Sequence, residues 1–242
     1  MTIRSGSLLE ARNVSKTFTR GRWYSDCGVR ALDNVTLSIQ SSSTLALVGS
    51  SGSGKSTLAR CIAQLEKPDL GEIWFDGRSV ANFTQAGFRH LRKEIQIVPQ
   101  DPSASLNPRW TAAEIVSEPL RVQRWGNEKK RYVRSLELLE SVGLDNRAPH
   151  QRPYQLSGGQ RARLALARAL ALEPRLLILD ESLSSLDLSL QAQIINLLID
   201  LQASCELAYL VIAHDMTLVA SMTDQVVELC KGRIVRQEFF PC

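Results

Sequence analysis

The chain has 242 residues, 44% of them hydrophobic, enough to bury a substantial core as one domain with at most a smaller subdomain. With 29 basic and 25 acidic residues its net charge is +4, too balanced for a nucleic-acid groove and suited to touching an acidic partner or a membrane face. No stretch approaches the roughly 20 uninterrupted apolar residues that cross a bilayer, and MTIRSGSLLEARN lacks the apolar core of a signal peptide, so the expected location is the cytoplasm.

In chain order, LLEARNVSKTF and VRALDNVTLSI alternate roughly between apolar and polar residues and are predicted to form edge strands, separated by the polar loop TRGRWYSDCG. TLALVG is a short apolar run ending in glycine, the pattern of a buried strand that feeds a tight loop. GEIWFDGRSV carries Asp76-Gly77, a hairpin signal. Three further apolar runs, EIQIVPQ, LLILDE and AYLVIAHD, read as parallel core strands, each with a chemically capable residue at its carboxyl end. Between the first two lies a mainly helical stretch, from which a helical subdomain over about residues 101–163 is expected, inserted within a single domain spanning 1–242. VVELCKGRIVRQ is predicted to close the chain as a hairpin around Lys231-Gly232. The five cysteines, Cys27, Cys61, Cys205, Cys230 and Cys242, lack CxxC spacing and are read as reduced thiols, mostly core filler.

The residues Gly49-Ser50-Ser51-Gly52-Ser53-Gly54-Lys55-Ser56 match G-x-x-x-x-G-K-[ST] between a strand and the helix TLARCIAQL. Glycines let backbone amides converge on phosphate oxygens, and the helix N-terminus adds about half a positive charge. Lys55 neutralises the terminal phosphates, and the Ser56 hydroxyl suits Mg²⁺. A triphosphatase also needs a carboxylate at the metal and a group that orients water. LLILDE offers Asp180 for the first and Glu181 as general base for the second; alone, two acids ending a strand read equally well as solvated charge. His214, closing AYLVIAHD, is the histidine best placed for a terminal phosphate, whereas His90 and His150 sit in polar surroundings and read as surface. Gln100 is either a neutral ligand for metal or water or a plain polar loop residue.

LSGGQ, residues 156–160, cannot be a second phosphate loop of the same kind, because no lysine follows its glycines. Ser157, Gly158, Gly159 and Gln160 open the helix RARLALARALAL, so they offer a hydroxyl, amides and a helix N-terminus to an anion, or simply cap that helix. Elementary chemistry leaves open whether the anion belongs to this chain's own ligand or to another's.

The ordered set of GSSGSGKST, Gln100, LSGGQ, LLILDE, SSLD and His214 resembles the ATP-binding subunits of ABC transporters over nearly the whole chain. QDPSASLNPRWT followed by EIVSEPL, and LSLQAQIINLL, are similar to the peptide and nickel importer branch. The resemblance implies a P-loop α/β fold: a mostly parallel core sheet, an N-terminal antiparallel β subdomain and a helical signature subdomain. It implies ATP and Mg²⁺, with Phe18 stacking on adenine, although a buried strand aromatic is the competing reading. Gly49, Ser50, Gly52, Ser53, Gly54, Lys55, Ser56, Thr57 and Gln100 would hold the nucleotide, and Ser56, Gln100 and Asp180 the metal. Glu181 is implied as catalytic base, His214 as a γ-phosphate contact and Asp187 as a dimer-contact residue.

By the same resemblance, Ser157, Gly158, Gly159 and Gln160 face ATP held by a partner's phosphate loop. The implied partners are a second ATPase subunit, identical or different, and two permease subunits docking around residues 100–118. A solute-binding protein is implied indirectly, and the site of work is the cytoplasmic membrane face. The rival reading is an ATPase of this type driving a soluble assembly such as a carbon–phosphorus lyase complex. The sequence departs from the family at Ser182-Leu183, where Pro-Thr usually follows the glutamate, and at Ser42-Ser43, where Gly-Glu is common.

Overall fold

A computed structural model describes residues 6–19, 28–182, 188–213 and 220–240. The first two strands, β1 (Ser7–Phe18) and β2 (Val29–Gln40), pair antiparallel. β4 (Leu70–Phe75) pairs on the other side of β1, and the short β5 (Arg78–Ser79) completes a four-stranded sheet of order β2-β1-β4-β5. With neighbours on both sides, β1 is a central strand and not the edge its position in the sequence suggests. The β4–β5 connection is the expected two-residue turn: Asp76 and Gly77 have φ of 51° and 72°, which matches the right-handed twist of the flanking strands.

The second sheet has the order β10-β9-β3-β8-β7-β6. β3 (Thr44–Val48), β6 (Ile95–Val98), β7 (Leu176–Asp180), β8 (Ala208–Ile212) and β9 (Gln225–Cys230) run parallel, and β10 (Arg233–Phe239) returns antiparallel beside β9. Side chains of these parallel strands alternate between two cores. Leu45, Leu47, Leu176, Ile178 and Leu210 pack toward the antiparallel sheet with Leu58 and Ile62 of α1 (Lys55–Ile62). Ala46, Leu177, Leu179, Tyr209 and Val211 point the other way. Burial on both faces explains why these strands read as unbroken apolar runs. Each fully buried leucine contributes about 1.5–3 kcal/mol relative to exposure. The Tyr209 hydroxyl meets its need by donating to the Leu198 carbonyl at 2.8 Å.

The second core is covered by helices. α3 (Ala112–Val122) and α4 (Glu128–Ser141) follow β6 and the small helix α2 (Gln85–Glu94) that precedes it; α5 (Gly158–Leu170) leads into β7, and α6 (Leu188–Cys205) joins β7 to β8. A complete capping box starts α3: Thr111 accepts from the Glu114 amide while Glu114 accepts from the Thr111 amide. α5 spans the boundary near 163 expected from the sequence, its N-terminal half joined to α4 and its buried side chains reaching the second core. Among the described residues no helix is long and apolar enough to cross a membrane.

Among the described cysteines, all three are free thiols, but only Cys61 fills core. Burial pushes its pKa up to about 11. Cys205 ends α6 and Cys230 ends β9, and both are exposed, so these two are not core filler: each stands where an element runs out into solvent. Cys27 and Cys242 lie outside the described residues. His90 and His150 are exposed, as their polar surroundings suggested.

Candidate functional site

The site forms where the carboxyl ends of β3, β7 and β6 converge, and strand register brings its residues there. In the β6–β7 pairing Val98 faces Leu179, so Gln100 and Glu181 each lie two residues beyond a matched pair. They meet: Gln100 Nε2 donates to Glu181 Oε2 at 2.7 Å. In the β7–β8 pairing Asp180 faces Ile212, and the Glu181 amide donates to the Ile212 carbonyl at 3.1 Å. Glu181 has φ 50°, a left-handed conformation that costs a non-glycine residue on the order of 1–3 kcal/mol and that clusters at functional sites.

The loop between β3 and α1 needs its glycines for two distinct reasons. Gly49 (φ 141°) and Gly54 (φ 110°) occupy backbone conformations closed to most residues. Neither has room for a side chain, since a Cβ would lie 2.1 Å from the Leu229 carbonyl oxygen at Gly49 and 2.3 Å from that of Ala31 at Gly54. The loop is buttressed from outside by the closing hairpin, where Lys231 and Gly232 (φ 47° and 78°) form the expected two-residue turn and the Gly232 amide donates to the Ser53 carbonyl at 2.8 Å. Sequence reading missed this buttress, because nothing local in KGR points at residue 53.

Lys55, 4% exposed, folds back to donate to the carbonyls of Gly49 (2.8 Å) and Ser50 (3.0 Å), and its Nζ lies 4.0 Å from Glu181 Oε1. Ser56 donates to Asp180 Oδ1 at 3.0 Å. Asp180 is 5% exposed. Burial raises its pKa above the usual carboxylate range and the Glu181 charge adds to this, against the Ser56 hydrogen bond and the charges of Arg60 and Lys55. Ser53 is 2% exposed and its hydroxyl is a buried polar atom with no partner.

These features fit a magnesium-bound nucleoside triphosphate. An unpartnered buried hydroxyl, a lysine turned onto the loop's own carbonyls and a helix N-terminus all have use for phosphate oxygens. The Ser56 hydroxyl, the Asp180 carboxylate and the Gln100 amide are hard oxygen donors of the kind Mg²⁺ takes alongside substrate phosphates. Among the described residues no three His, Cys, Asp or Glu side chains are grouped so that they could hold a metal by themselves.

Lys55, Ser56, Gln100, Asp180 and Glu181 are thus brought together. Gly49, Ser50, Gly52, Ser53 and Gly54 form the loop beside them, and Thr57 is half-buried in the first turn of α1. Phe18 ends β1 at 38% exposed, so it is not a buried strand aromatic, and Lys16 Nζ lies 5.6 Å from its ring. Ser157, Gly158, Gly159 and Gln160 stand apart. Ser157 accepts from the Gln160 amide and Gln160 Oε1 accepts from the Ser157 amide, a capping box at the head of α5, and among the described residues neither hydrogen-bonds the phosphate loop. His214 and Asp187 lie outside the described residues.

Residues 32–184 match the model of a family described as ABC transporter. The chain is 41% identical to the oligopeptide transport ATP-binding protein OppF of Streptococcus mutans serotype c over 236 residues, covering 97% of this chain and 76% of that protein. It is 43% identical to the nickel import ATP-binding protein NikE of Rhodospirillum rubrum over 231 residues, covering 95% and 83%. Among solved structures it superposes with a TM-score of 0.88 and 32% identity on the ATP-binding cassette MJ0796, described as a dimer in a post-hydrolysis state bound to ADP and Pi. That superposition covers 97% of this chain and 99% of the other.

Proposed function

The chain belongs to the ABC transporter family, and on that premise we propose that it is the ATP-binding and ATP-hydrolysing subunit that energises an importer for peptides, nickel or metal-chelate complexes. The observation that carries this is the meeting of Lys55, Ser56, Gln100, Asp180 and Glu181 at the carboxyl ends of three strands, beside a glycine loop with an orphaned hydroxyl. Oligopeptide and nickel import proteins among the relatives supply the cargo class.

In the proposed mechanism Lys55 swings from the Gly49 and Ser50 carbonyls onto the terminal phosphates, and loop amides with the α1 N-terminus take the remaining oxygens. Ser56 and Asp180 would hold Mg²⁺ with Gln100 beside them, and that ion, when bound, offsets charge developing on the phosphates. Glu181 accepts the proton of the attacking water; such a base is worth about 10²–10⁴-fold in rate. Phe18 has an exposed face for adenine. His214 is assigned to the γ-phosphate, and Asp187 to the dimer contact, by family resemblance alone.

Ser157, Gly158, Gly159 and Gln160 point to a second nucleotide, held by an identical or related subunit. On this reading the partner permeases dock on the surface around residues 100–118, beside a groove of about 1000 Å³ lined by Trp110, Glu114, Ser117, Glu118, Arg121 and Tyr132. Work at the cytoplasmic face of the membrane, as a peripheral subunit, follows from those partners. The test is to purify the full chain through a tag from detergent-solubilised membranes. Two permease subunits should accompany it and the complex should hydrolyse ATP; recovery only in a soluble multiprotein assembly would overturn the importer reading.

A further inference from the structure

α4 ends in a complete glycine cap. The Gly143 amide donates to the Glu140 carbonyl (2.8 Å) and the Leu144 amide to the Leu139 carbonyl (3.0 Å), with Gly143 at φ 71°. This closure leaves the Val142 and Gly143 carbonyls facing outward at the negative end of the helix. Arg163, in the second turn of α5, takes both: its Nη1 donates to Val142 O at 3.2 Å and Gly143 O at 2.9 Å. Its other terminal nitrogen, Nη2, donates to Gln193 Oε1 of α6 at 2.6 Å. Residue 143 has a φ of 71°, which favours glycine, and a Cβ there would lie 2.5 Å from Nη1, so a side chain would displace the guanidinium from this position. A planar guanidinium suits this position because its donors fork in fixed directions, which an ammonium cannot reproduce.

α5 is led by Ser157, Gly158, Gly159 and Gln160. Under the function proposed above, on which this inference rests, that leading segment faces the partner's nucleotide. We propose that Arg163 is a positioning residue that fixes α5 against the α4 end and against α6, so that the segment leading α5 meets the second nucleotide in one pose. It touches no reacting atom. It acts by holding α5 to the α4 end on one side and to Gln193 on the other.

Turnover and the Michaelis constant for ATP, measured in the complex purified through a tag on the full chain, test this, with thermal melts to normalise for folded protein. Gln193→Ala removes only the arm toward α6 and leaves the α4 cap intact, so a merely structural role predicts little change. The positioning role predicts a kcat lowered roughly 3- to 30-fold with the Michaelis constant unmoved. Arg163→Ala should lower kcat at least as far, and Arg163→Lys should restore only part of it. Adding Gln193→Ala to Arg163→Ala should cost little more, because both remove one contact.

If Gln193→Ala and Arg163→Ala keep the wild-type kcat per folded molecule, the inference is overturned while the functional reading stands. If instead Ser157→Arg in one subunit leaves the partner's site fully active, the reading of residues 157–160 fails and takes this inference with it.

Discussion

Gln100 Nε2 donates to Glu181 Oε2 at 2.7 Å across 81 residues of chain, so the amide that ends one core strand holds the carboxylate that follows its neighbour. A hydrogen bond to an ionised acceptor is roughly twice as strong as a neutral one, and this one orients a carboxylate whose backbone already sits in a left-handed conformation. Replacing Gln100 by Ala should therefore lower turnover by roughly tenfold, about the worth of one such bond, and lower it more than affinity for magnesium-bound ATP. Steady-state kinetics beside equilibrium nucleotide binding check it, and equal losses in both would show that Gln100 binds rather than orients.

Glu181→Gln keeps the shape of the side chain and an oxygen for Gln100 but removes the base. Turnover should fall by about 10²–10⁴-fold while bound ATP accumulates. Rapid filtration of radiolabelled nucleotide distinguishes trapped ATP from ADP, and parent-rate hydrolysis would remove Glu181 from the base position.

Asp180 gives a pH dependence of defined sign. Burial first, then the Glu181 charge, raises its folded pKa above the ordinary 3.8, so the folded state holds this proton more tightly than the unfolded chain does. Ionised Asp180 therefore penalises the nucleotide-free fold above its folded pKa, and the penalty vanishes as pH falls below the unfolded value. Asp180→Asn should raise the melting temperature of the nucleotide-free protein at neutral pH, with the gain shrinking to nothing near pH 3.8 and below. The same variant should lose most of the stabilisation that magnesium and ATP together confer on the parent. A melt series across pH, with and without magnesium nucleotide, reads both effects.

The phosphate loop allows a comparison of two glycines. Gly52 (φ 76°) faces open space, so Gly52→Ala should cost only the left-handed strain, about 1–2 kcal/mol. Gly49→Ala adds a Cβ 2.1 Å from the Leu229 carbonyl and must push β9 from β3, so it should cost more, by roughly another 1–3 kcal/mol, and abolish nucleotide binding. Denaturant titration of both variants, with a fluorescent ATP analogue as binding probe, tests the order; equal costs would mean that the hairpin buttress yields freely.

Ser157→Arg introduces bulk and charge at the exposed head of α5. In mixed complexes it should abolish turnover at the partner's site while this chain's own nucleotide affinity stays near normal. Loss of that affinity as well would mean that the loop serves its own chain or that the helix cap was broken.

Much was legible in the sequence because it is decided within a few residues. The turns at Asp76-Gly77 and Lys231-Gly232 follow from the glycine at the second position of each, the Ser157–Gln160 capping box from their three-residue spacing, and the β3-loop-α1 unit from its glycines and lysine. The buried strands were equally plain, since burial on both faces leaves an unbroken apolar run. Solvent position was less legible: Cys205 and Cys230 are exposed because they stand where elements end, which composition does not reveal.

What only the tertiary structure decided is which distant residues share a site. Ser56 reaches Asp180 across 124 residues, Gly49 packs under Leu229, and Arg163 finds two carbonyls just past the end of one helix and a side-chain amide on another. The physical reason is that local chemistry sets each strand, turn and cap, whereas helical crossovers and the packing of two cores set the register between parallel strands. The sequence determined the parts and their order; the register alone placed Gln100 against Glu181.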